Sequence, residues 1–131
     1  MPVFARPEAL YAVLRPMFEQ VQAEAPEAFR GLLNARLSIR LRITQPATEV
    51  LLNSRRPPLQ VTFGPVPERA DLEAEIAADH LHLMLLDELS IKKAMANRQI
   101  RVRGPAWKLS VLIDIIKAGR RFYPSLVGVK V

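Results

Sequence analysis

The spacing of apolar residues changes abruptly near residue 36, and this change limits the folds open to the chain. Before it, six apolar residues follow the spacing of one helix face: Leu10, Val13, Leu14, Met17, Phe18 and Val21. From Arg36 to Thr44 every odd position is apolar and every even position is polar. That alternation predicts a half-buried strand with an arginine-rich outer face. A chain with both periods joins a helical layer to a sheet, which indicates an α+β fold.

The remaining elements follow from the same periods and from Pro, Gly and capping residues. A helical segment is predicted over residues 7–34, with a kink near Pro16 and a second short helix opening at Pro26. Further strands are predicted at 48–53, 59–63, 71–78 and 99–103. Further helices are predicted from Asp79, as N-cap, to about Glu88, from Ser90, as N-cap, to about Ala96, and from Pro105 to about Ala118, with Gly119 ending the last one. A final turn is predicted over residues 122–127.

These elements predict one domain over residues 1–131, with the N-terminal helical segment 7–34 and a sheet and helix core over 36–127. The expected architecture is a five-stranded, mostly antiparallel sheet covered on one face by helices. No repeat or linker divides the chain. At 131 residues, about two-thirds of the unfolded surface can be buried, which is enough for a core without metals or disulfides.

Charge is distributed unevenly along the chain. The formal net charge is +6, which favours anionic partners. Residues 68–90 carry seven acidic side chains and one Arg, whereas residues 91–121 carry nine basic side chains and one Asp. The C-terminal quarter is therefore the basic pole, and the sequence Arg120-Arg121-Phe122-Tyr123 suits an acidic membrane surface. The same four residues also suit an ordinary helix end.

No catalytic or metal-binding set is recognisable in the sequence. Cysteine is absent, which excludes disulfides and thiolate chemistry. His80 and His82 would point about 200° apart on a helix, so we expect no shared metal ion. There is no Gly-x-Ser-x-Gly or glycine-rich phosphate loop. We therefore expect neither an enzyme nor a cofactor.

Five arginines are placed where they would project from one sheet face if the first and last strands were neighbours: Arg36, Arg40, Arg42, Arg101 and Arg103. We interpret them as a solvated face balanced by Glu49, Glu73 and Glu75, with cross-strand pairs between the acidic strand and an Arg-bearing strand. No aromatic side chains alternate with these arginines, so nucleic-acid binding is not expected.

The helix predicted from Pro105 is apolar around nearly its whole circumference. Its polar stripe is narrow: Ser110, Asp114 and Lys117. Apolar residues occupy most of the remainder: Trp107, Leu109, Val111, Leu112, Ile113, Ile115 and Ile116. A helix on one sheet needs an apolar arc of about 100° or a little more, so this helix must bury two sides. Either it packs between the sheet and other helices, or its second side lines an internal apolar cavity.

The order of elements from Leu37 to Tyr123 resembles the sterol carrier protein type 2 family. The resemblance is carried by the helix Ser90-Ile91-Lys92-Lys93-Ala94-Met95-Ala96-Asn97-Arg98, the strand Gln99-Ile100-Arg101-Val102-Arg103-Gly104 and the apolar helix that follows. It implies a five-stranded sheet covered by helices, enclosing an apolar tunnel for fatty acyl chains, sterols or other lipids, with no catalytic residues. The family usually has glycine near Asp87-Glu88 and near Asn97-Arg98. Asn97 tolerates the left-handed conformation, whereas Asp87-Glu88 alters the expected tunnel mouth.

The resulting hypothesis is a non-enzymatic carrier that holds a fatty acyl, acyl-CoA, sterol-like or isoprenoid lipid in a cavity larger than the chain itself can fill. The alternative is an interaction module of lipid or quinone metabolism with the same fold and a closed core. The expected ligand-binding residues are Phe63, Ile76, Leu83, Met84, Leu86, Ile91, Met95, Ile100, Val102, Leu109, Leu112, Ile113, Ile116 and Phe122. The expected head-group or membrane contacts are Lys92, Lys93, Arg120 and Arg121.

The two ends of the sequence carry the expectation about location. Residues 1–6 do not have the layout of a signal peptide, and residues 129–131 do not form a peroxisomal Ser-Lys-Leu-type signal. We therefore expect a bacterial-style cytoplasmic protein.

Overall fold

The computed structural model describes residues 3–56 and 58–128, and within them five strands form one sheet. The helices are α1 (Pro7–Glu24), α2 (Arg30–Asn34), α3 (Ala78–Leu85), α4 (Ile91–Ala96) and α5 (Ala106–Leu126), and a 3₁₀ turn covers Pro26–Phe29. The strands are β1 (Ser38–Thr44), β2 (Thr48–Asn53), β3 (Gln60–Phe63), β4 (Leu72–Ala77) and β5 (Ile100–Arg103). Expectations about residues 1, 2, 57 and 129–131, and about the side chain of Trp107, lie outside the described part.

The sheet has the strand order β3-β2-β1-β4-β5. Three of its neighbouring pairs are antiparallel, and β1 and β4 are parallel, with Ile39 opposite Leu72 and Ile43 opposite Ile76. This confirms the predicted α+β fold with a mostly antiparallel sheet. Because β4 separates β1 from β5, the arginines of the first and last strands share a face without being neighbours.

Helix α1 is one continuous helix that passes Pro16, and the 3₁₀ turn begins at Pro26 as the sequence predicts. Helix α5 is longer than predicted, because it continues through Gly119 and Pro124 to Leu126. A Cβ at Gly119 would lie 3.1 Å from Met17 Sδ and 3.2 Å from Leu85 Cδ2. Gly119 therefore allows α5 to approach α1 and α3 closely, and it does not end the helix.

The two predicted N-caps have different outcomes. The Ser90 hydroxyl accepts a hydrogen bond from the backbone N–H of Lys93 at 3.0 Å, which confirms the cap of α4. The predicted cap by Asp79 is wrong, because Asp79 lies in the first turn of α3 and accepts a hydrogen bond from Val3 N at 2.9 Å. Helix α3 also ends earlier than expected, at Leu85.

Two non-glycine residues end the short helices in the left-handed conformation. Asp87 has φ 61° after α3, and Arg98 has φ 57° after α4. Left-handed backbone at these positions usually takes glycine, and here it coincides with the places where the resemblance leads us to expect glycine. The expectation for Asn97 is corrected, since Asn97 has φ −91° and Arg98 is the left-handed residue.

The outer face of the sheet carries the expected ion pairs but is only partly solvated. Arg40 lies 3.1 Å from Glu73 and 3.4 Å from Glu49. Its guanidinium also donates to the carbonyl oxygens of Val66 and Glu68. The connection between β3 and β4 therefore covers this side chain, which is 6% exposed. Arg36, expected on the same face, instead precedes β1 in a left-handed turn.

Candidate functional site

An apolar cavity lies where α1, α3 and α5 pack on β1 and β2. All of its lining side chains in the described residues are apolar: Leu14, Met17, Phe18, Ile39, Leu41, Val50, Leu52, Leu81, Leu85, Leu112, Ile115 and Ile116. The sheet residues are the inward positions of the alternating pattern, and the α1 residues belong to the apolar stripe read from the sequence. The cavity therefore lies between the apolar helix face and the inward strand face that the two sequence periods predict.

The cavity is small. Its volume is about 30 Å³, whereas an apolar cavity of about 150 Å³ holds one benzene molecule. In this conformation the side chains leave no room for an acyl chain, contrary to the expectation of an interior that the chain cannot fill. The reason is α1, which packs along α5 and buries Leu10, Leu14, Met17, Phe18 and Val21. Helix α5 does bury two sides, and a helix covers the second one.

The sequence-predicted ligand residues divide into four groups by position. Leu112 and Ile116 line the cavity. Five others are buried elsewhere in the core: Ile76, Met84, Ile91, Ile100 and Phe122. Five are partly buried against that core: Phe63, Leu86, Val102, Leu109 and Ile113. Leu83 and Met95 are 37% and 38% exposed, so the structure places them on the surface, away from the cavity.

The position of Leu83 follows from helix geometry. Leu81, Met84 and Leu85 form the buried face of α3, and Leu83 lies about 200° around the helix from Leu81. Most of the cavity wall was not predicted, because no residue of α1, β1 or β2 was expected to bind the ligand. The stripe of α1 and the odd positions of β1 are the signals that could have found Met17 and Ile39.

The four expected head-group residues differ in their exposure and contacts. Lys92 and Lys93 are exposed on α4. Arg120 donates from Nε to Met84 O at 2.7 Å and lies 3.3 Å from Asp87 Oδ1, so it is engaged at the end of α3. Arg121 is exposed and stacks over the ring of Phe122, with 5.2 Å between Cζ and the ring centroid.

Phe122 and Tyr123, the aromatic residues expected at a membrane surface, are 8% and 0% exposed. Both rings belong to the core, and only the basic half of that segment reaches the surface. This corrects the membrane-interface interpretation of the four-residue segment and favours its interpretation as part of a helix end.

A series of ring contacts leads from the cavity wall to the surface. Phe18 lines the cavity, and its ring centroid lies 6.1 Å from that of Phe63. Tyr11 packs edge-on against Phe63 at 6.0 Å, and the Arg15 guanidinium lies 4.5 Å above the same ring. The Tyr11 hydroxyl accepts a hydrogen bond from Glu49 N at 3.0 Å. Phe63 therefore lies between a buried wall residue and two partly or fully exposed side chains.

The two histidines have separate environments. His82 Nδ1 lies 2.7 Å from the hydroxyl oxygen of Tyr123, and the Phe4 ring packs edge-on against His82. Burial, and secondarily the charge of Asp79, raises the pKa of the Tyr123 hydroxyl. His80 Nδ1 is buried without a hydrogen-bond partner. Over residues 3–56 and 58–128, no group of three His, Asp or Glu side chains is arranged to hold a metal ion.

Comparison with known proteins finds similar structures but no matching sequence. No protein-family model matches the sequence, and no curated protein matches it. The sterol carrier protein domain 2 of Helicoverpa armigera superposes with a TM-score of 0.64 at 14% identity, covering 84% of this chain and 89% of that one. Palmitated SCP2L2 from Aedes aegypti gives 0.60 at 17% identity, covering 81% and 92%.

A third similar structure is UbiJ-SCP2, described as a ubiquinone synthesis protein, with a TM-score of 0.52, 18% identity, and coverage of 71% of this chain and 77% of that one. In the part of the chain that the structure describes, no helix is long and apolar enough to cross a bilayer. The sheet order, the helices and these superpositions together establish that the chain has the fold of sterol carrier protein 2 domains.

Proposed function

We propose that this protein is a non-enzymatic lipid-binding protein that holds one acyl or isoprenoid chain between its helices and its sheet. The observation that carries the proposal is the cavity at that interface, whose described walls contain only hydrocarbon and thioether groups. Transfer of a hydrocarbon chain from water into such surroundings contributes about 0.8 kcal/mol per methylene. Two structurally similar proteins support the proposal: one is named a sterol carrier domain, and the other was studied with palmitate.

A ligand must widen the cavity, since the present volume is about 30 Å³. The helices α1, α3 and α5 would move away from the sheet. They contact the sheet mainly through apolar side chains, and contacts with a lipid chain can replace those contacts. Met17, with its unbranched and adaptable side chain, lies in the wall beside Gly119. We propose that the ligand enters at the edge where Phe63 contacts Phe18 and Arg15.

Titration of delipidated protein with palmitic acid, followed by native mass spectrometry, tests the proposal. Leu112→Phe adds bulk to the cavity wall and is expected to lower palmitate occupancy about tenfold, because overpacking opposes widening. Leu126→Phe, on the same helix and partly buried but outside the cavity wall, is the matched control and should bind like the original protein. Circular dichroism establishes that both variants are folded. Absence of any palmitate adduct on the folded original protein would contradict the proposal.

The small cavity favours a second candidate function. With the core closed, the same fold serves as an interaction module that positions proteins of lipid or quinone metabolism without holding a ligand. The similarity to a protein described as acting in ubiquinone synthesis supports this alternative. Affinity purification with lipid extraction distinguishes the two: stable protein partners without extractable lipid favour the module, and stoichiometric lipid favours the carrier.

Contact with an acidic membrane surface through Lys92, Lys93 and Arg121, and a cytoplasmic location, remain part of the proposal. Sedimentation with vesicles of phosphatidylglycerol and phosphatidylcholine tests the membrane contact, because binding through lysines must weaken as salt increases. The double variant Lys92→Gln with Lys93→Gln should reduce it. Binding that is unaffected by salt and by this variant would exclude these residues as the contact.

A further inference from the structure

A second, polar pocket lies away from the apolar cavity, at the end of the parallel pair β1 and β4. It is an open depression in the surface with a volume of about 390 Å³. It is bounded by Thr44 and Ala77, where the two strands end side by side, and by the segment from Asn97 to Arg101 that joins α4 to β5. Neither the fold nor the proposed lipid binding accounts for its composition.

Two side chains of this pocket contain polar atoms that are buried without a partner in the described structure. They are His80 Nδ1 and Gln99 Oε1. A buried polar atom without a hydrogen bond destabilises the fold, so such atoms are rare unless a ligand or water completes them. Within the described residues, these two atoms belong to residues of different elements. Both residues line the same pocket.

Two arginines line the same pocket. Arg98 and Arg101 line it together with Glu75. In the described part of the chain neither arginine forms an ion pair within 4.0 Å. Arg98, Arg101 and Glu75 carry two positive charges and one negative charge, which gives the pocket a net positive character that attracts an anion.

The backbone at Arg98 supplies an independent observation. Arg98 ends α4 with φ 57°, and the next backbone N–H, of Gln99, bonds Ala94 O at 2.7 Å. This is the geometry of a helix end at which glycine has no steric penalty. The chain has arginine instead, and this arginine lines the pocket.

From these observations we propose that this pocket, named here the Arg98 pocket, binds a phosphate monoester. Phosphate oxygens accept hydrogen bonds from guanidinium groups in bidentate geometry. Both unpartnered atoms lie beneath the pocket surface, so the side chains must turn towards the pocket to bind the ligand. His80 Nδ1, when it carries the ring proton, and Gln99 Nε2 then donate to the phosphate. The protonated form of the phosphate, populated near neutral pH, can instead donate its hydroxyl hydrogen to Gln99 Oε1. The phosphate belongs either to a lipid head group or to a small soluble molecule.

Nuclear magnetic resonance titration of the full chain with inorganic phosphate tests the proposal. The side-chain amide of Gln99 and the ring nitrogens of His80 are expected to shift saturably. Arg98→Gly should weaken this binding about tenfold, because it removes one charge-assisted pair. Arg101→Gln should have a similar effect and provides a second variant. No saturable shift at Gln99 and His80, or equal affinity in Arg98→Gly and the original protein, would overturn the proposal.

The chain offers a matched control at Arg36. Like Arg98, Arg36 ends a helix in the left-handed conformation, with φ 51°, and the following N–H of Leu37 bonds Leu32 O at 3.1 Å. Arg36 does not line the pocket. Arg36→Gly removes the same charge and the same strain, so it should leave phosphate binding unchanged. Both glycine variants should unfold at a higher urea concentration than the original protein, which separates loss of binding from loss of structure.

Two further ligands identify the source of the phosphate. Dihexanoyl phosphatidic acid that binds at least about tenfold more tightly than inorganic phosphate identifies a lipid head group, since the extra affinity comes from the acyl chains. Equal affinities identify a soluble phosphate compound. Dihexanoylglycerol, which has no phosphate, should cause no shift at Gln99 and His80. Shifts there of the same size as with phosphatidic acid would overturn phosphate recognition, whatever the result of the palmitate titration.

Discussion

His82 Nδ1 lies 2.7 Å from the hydroxyl oxygen of Tyr123, so α3 and the last third of α5 are joined by a hydrogen bond beside the core. Tyr123 is fully buried, and burial raises the pKa of its hydroxyl above the usual 10.0. The folded state therefore favours the neutral phenol. A group whose folded pKa is raised contributes stability at pH values below its unfolded pKa and loses it as pH increases further.

We expect the free energy of unfolding to decrease as pH rises above about 10, because unfolding allows Tyr123 to ionise. Tyr123→Phe should lower the free energy of unfolding at neutral pH by about 1 kcal/mol, because the hydrogen bond is lost. The free energy of unfolding of this variant should fall less steeply in alkali than that of the original protein. Urea denaturation across pH measures both effects, with Tyr11→Phe as the control for a partly exposed ring. Parallel alkaline profiles for Tyr123→Phe and the original protein would show that another group governs alkaline unfolding.

Asp71 links the start of β4 to β1 and is expected to govern part of the acid stability. Burial raises the pKa of this carboxyl, but hydrogen bonds from Arg55 and from the Ser38 backbone outweigh it, and the pKa is lowered below the usual 3.8. The contacts are 3.0 Å to Arg55 Nη2 and 2.9 Å to Ser38 N. A lowered pKa contributes stability above the unfolded pKa of 3.8, and that contribution is lost as pH falls further.

Asp71→Asn should destabilise the protein at neutral pH by about 1 kcal/mol, a modest value because Arg55 is partly exposed. It should also lose less stability than the original protein between neutral pH and strong acid. Asp114→Asn, on the exposed side of α5, is the control. Urea midpoints at several pH values measure the difference. An unchanged acid dependence in Asp71→Asn would rule out this carboxylate as a source of the pH effect.

Gly104 is the glycine that leaves the least space for a side chain. It has φ 137°, and a Cβ there would lie 2.8 Å from Leu72 Cδ1 and 3.1 Å from Asp71 O. Gly64 also has positive φ, at 110°, but a Cβ there meets nothing within 4 Å. Gly104→Ala should therefore lower the free energy of unfolding by about 1–3 kcal/mol more than Gly64→Ala. Equal urea midpoints for the two variants would show that Leu72 moves without penalty.

Ser90 should contribute about 1 kcal/mol as the N-cap of α4. Its hydroxyl bonds the N–H of Lys93, and Ser90→Ala leaves that N–H to solvent. Ser125→Ala, at an exposed position in α5, is the matched control and should have little effect. Thermal denaturation compares the two variants. If Ser90→Ala and Ser125→Ala melt at the same temperature, the cap does not contribute to the stability of the whole fold.

The elements were predictable because their signals are local. The odd positions of β1 face the core as the alternation requires, and Ser90 caps α4 as its position before an apolar run indicates. The pairing of the acidic strand β4 with an arginine-bearing strand also followed from the charges, since an acidic strand and a basic strand stabilise one another as neighbours. The sequence could not indicate that the β3–β4 connection covers Arg40, because that contact joins residues far apart in the chain.

Two of the wrong predictions, the end of α5 and the size of the cavity, have one cause: an apolar or flexible residue does not identify the residue that it contacts. Gly119 was expected to end α5, but its missing Cβ accommodates Met17 and Leu85. The apolar surplus of α5 indicated two buried sides, and the sequence allowed either a helix or a lipid to cover the second one.

The sequence by itself determined the α+β architecture, the inward face of each strand and the basic character of the C-terminal quarter, because these depend on spacing and composition. Only the tertiary structure decided that α1 covers α5 and reduces the interior to a small cavity. Only the tertiary structure placed four residues around one polar pocket: His80, Gln99, Arg98 and Arg101. The physical reason is that packing volume and the pairing of buried polar atoms depend on distances between separate elements, which no local pattern of residues contains.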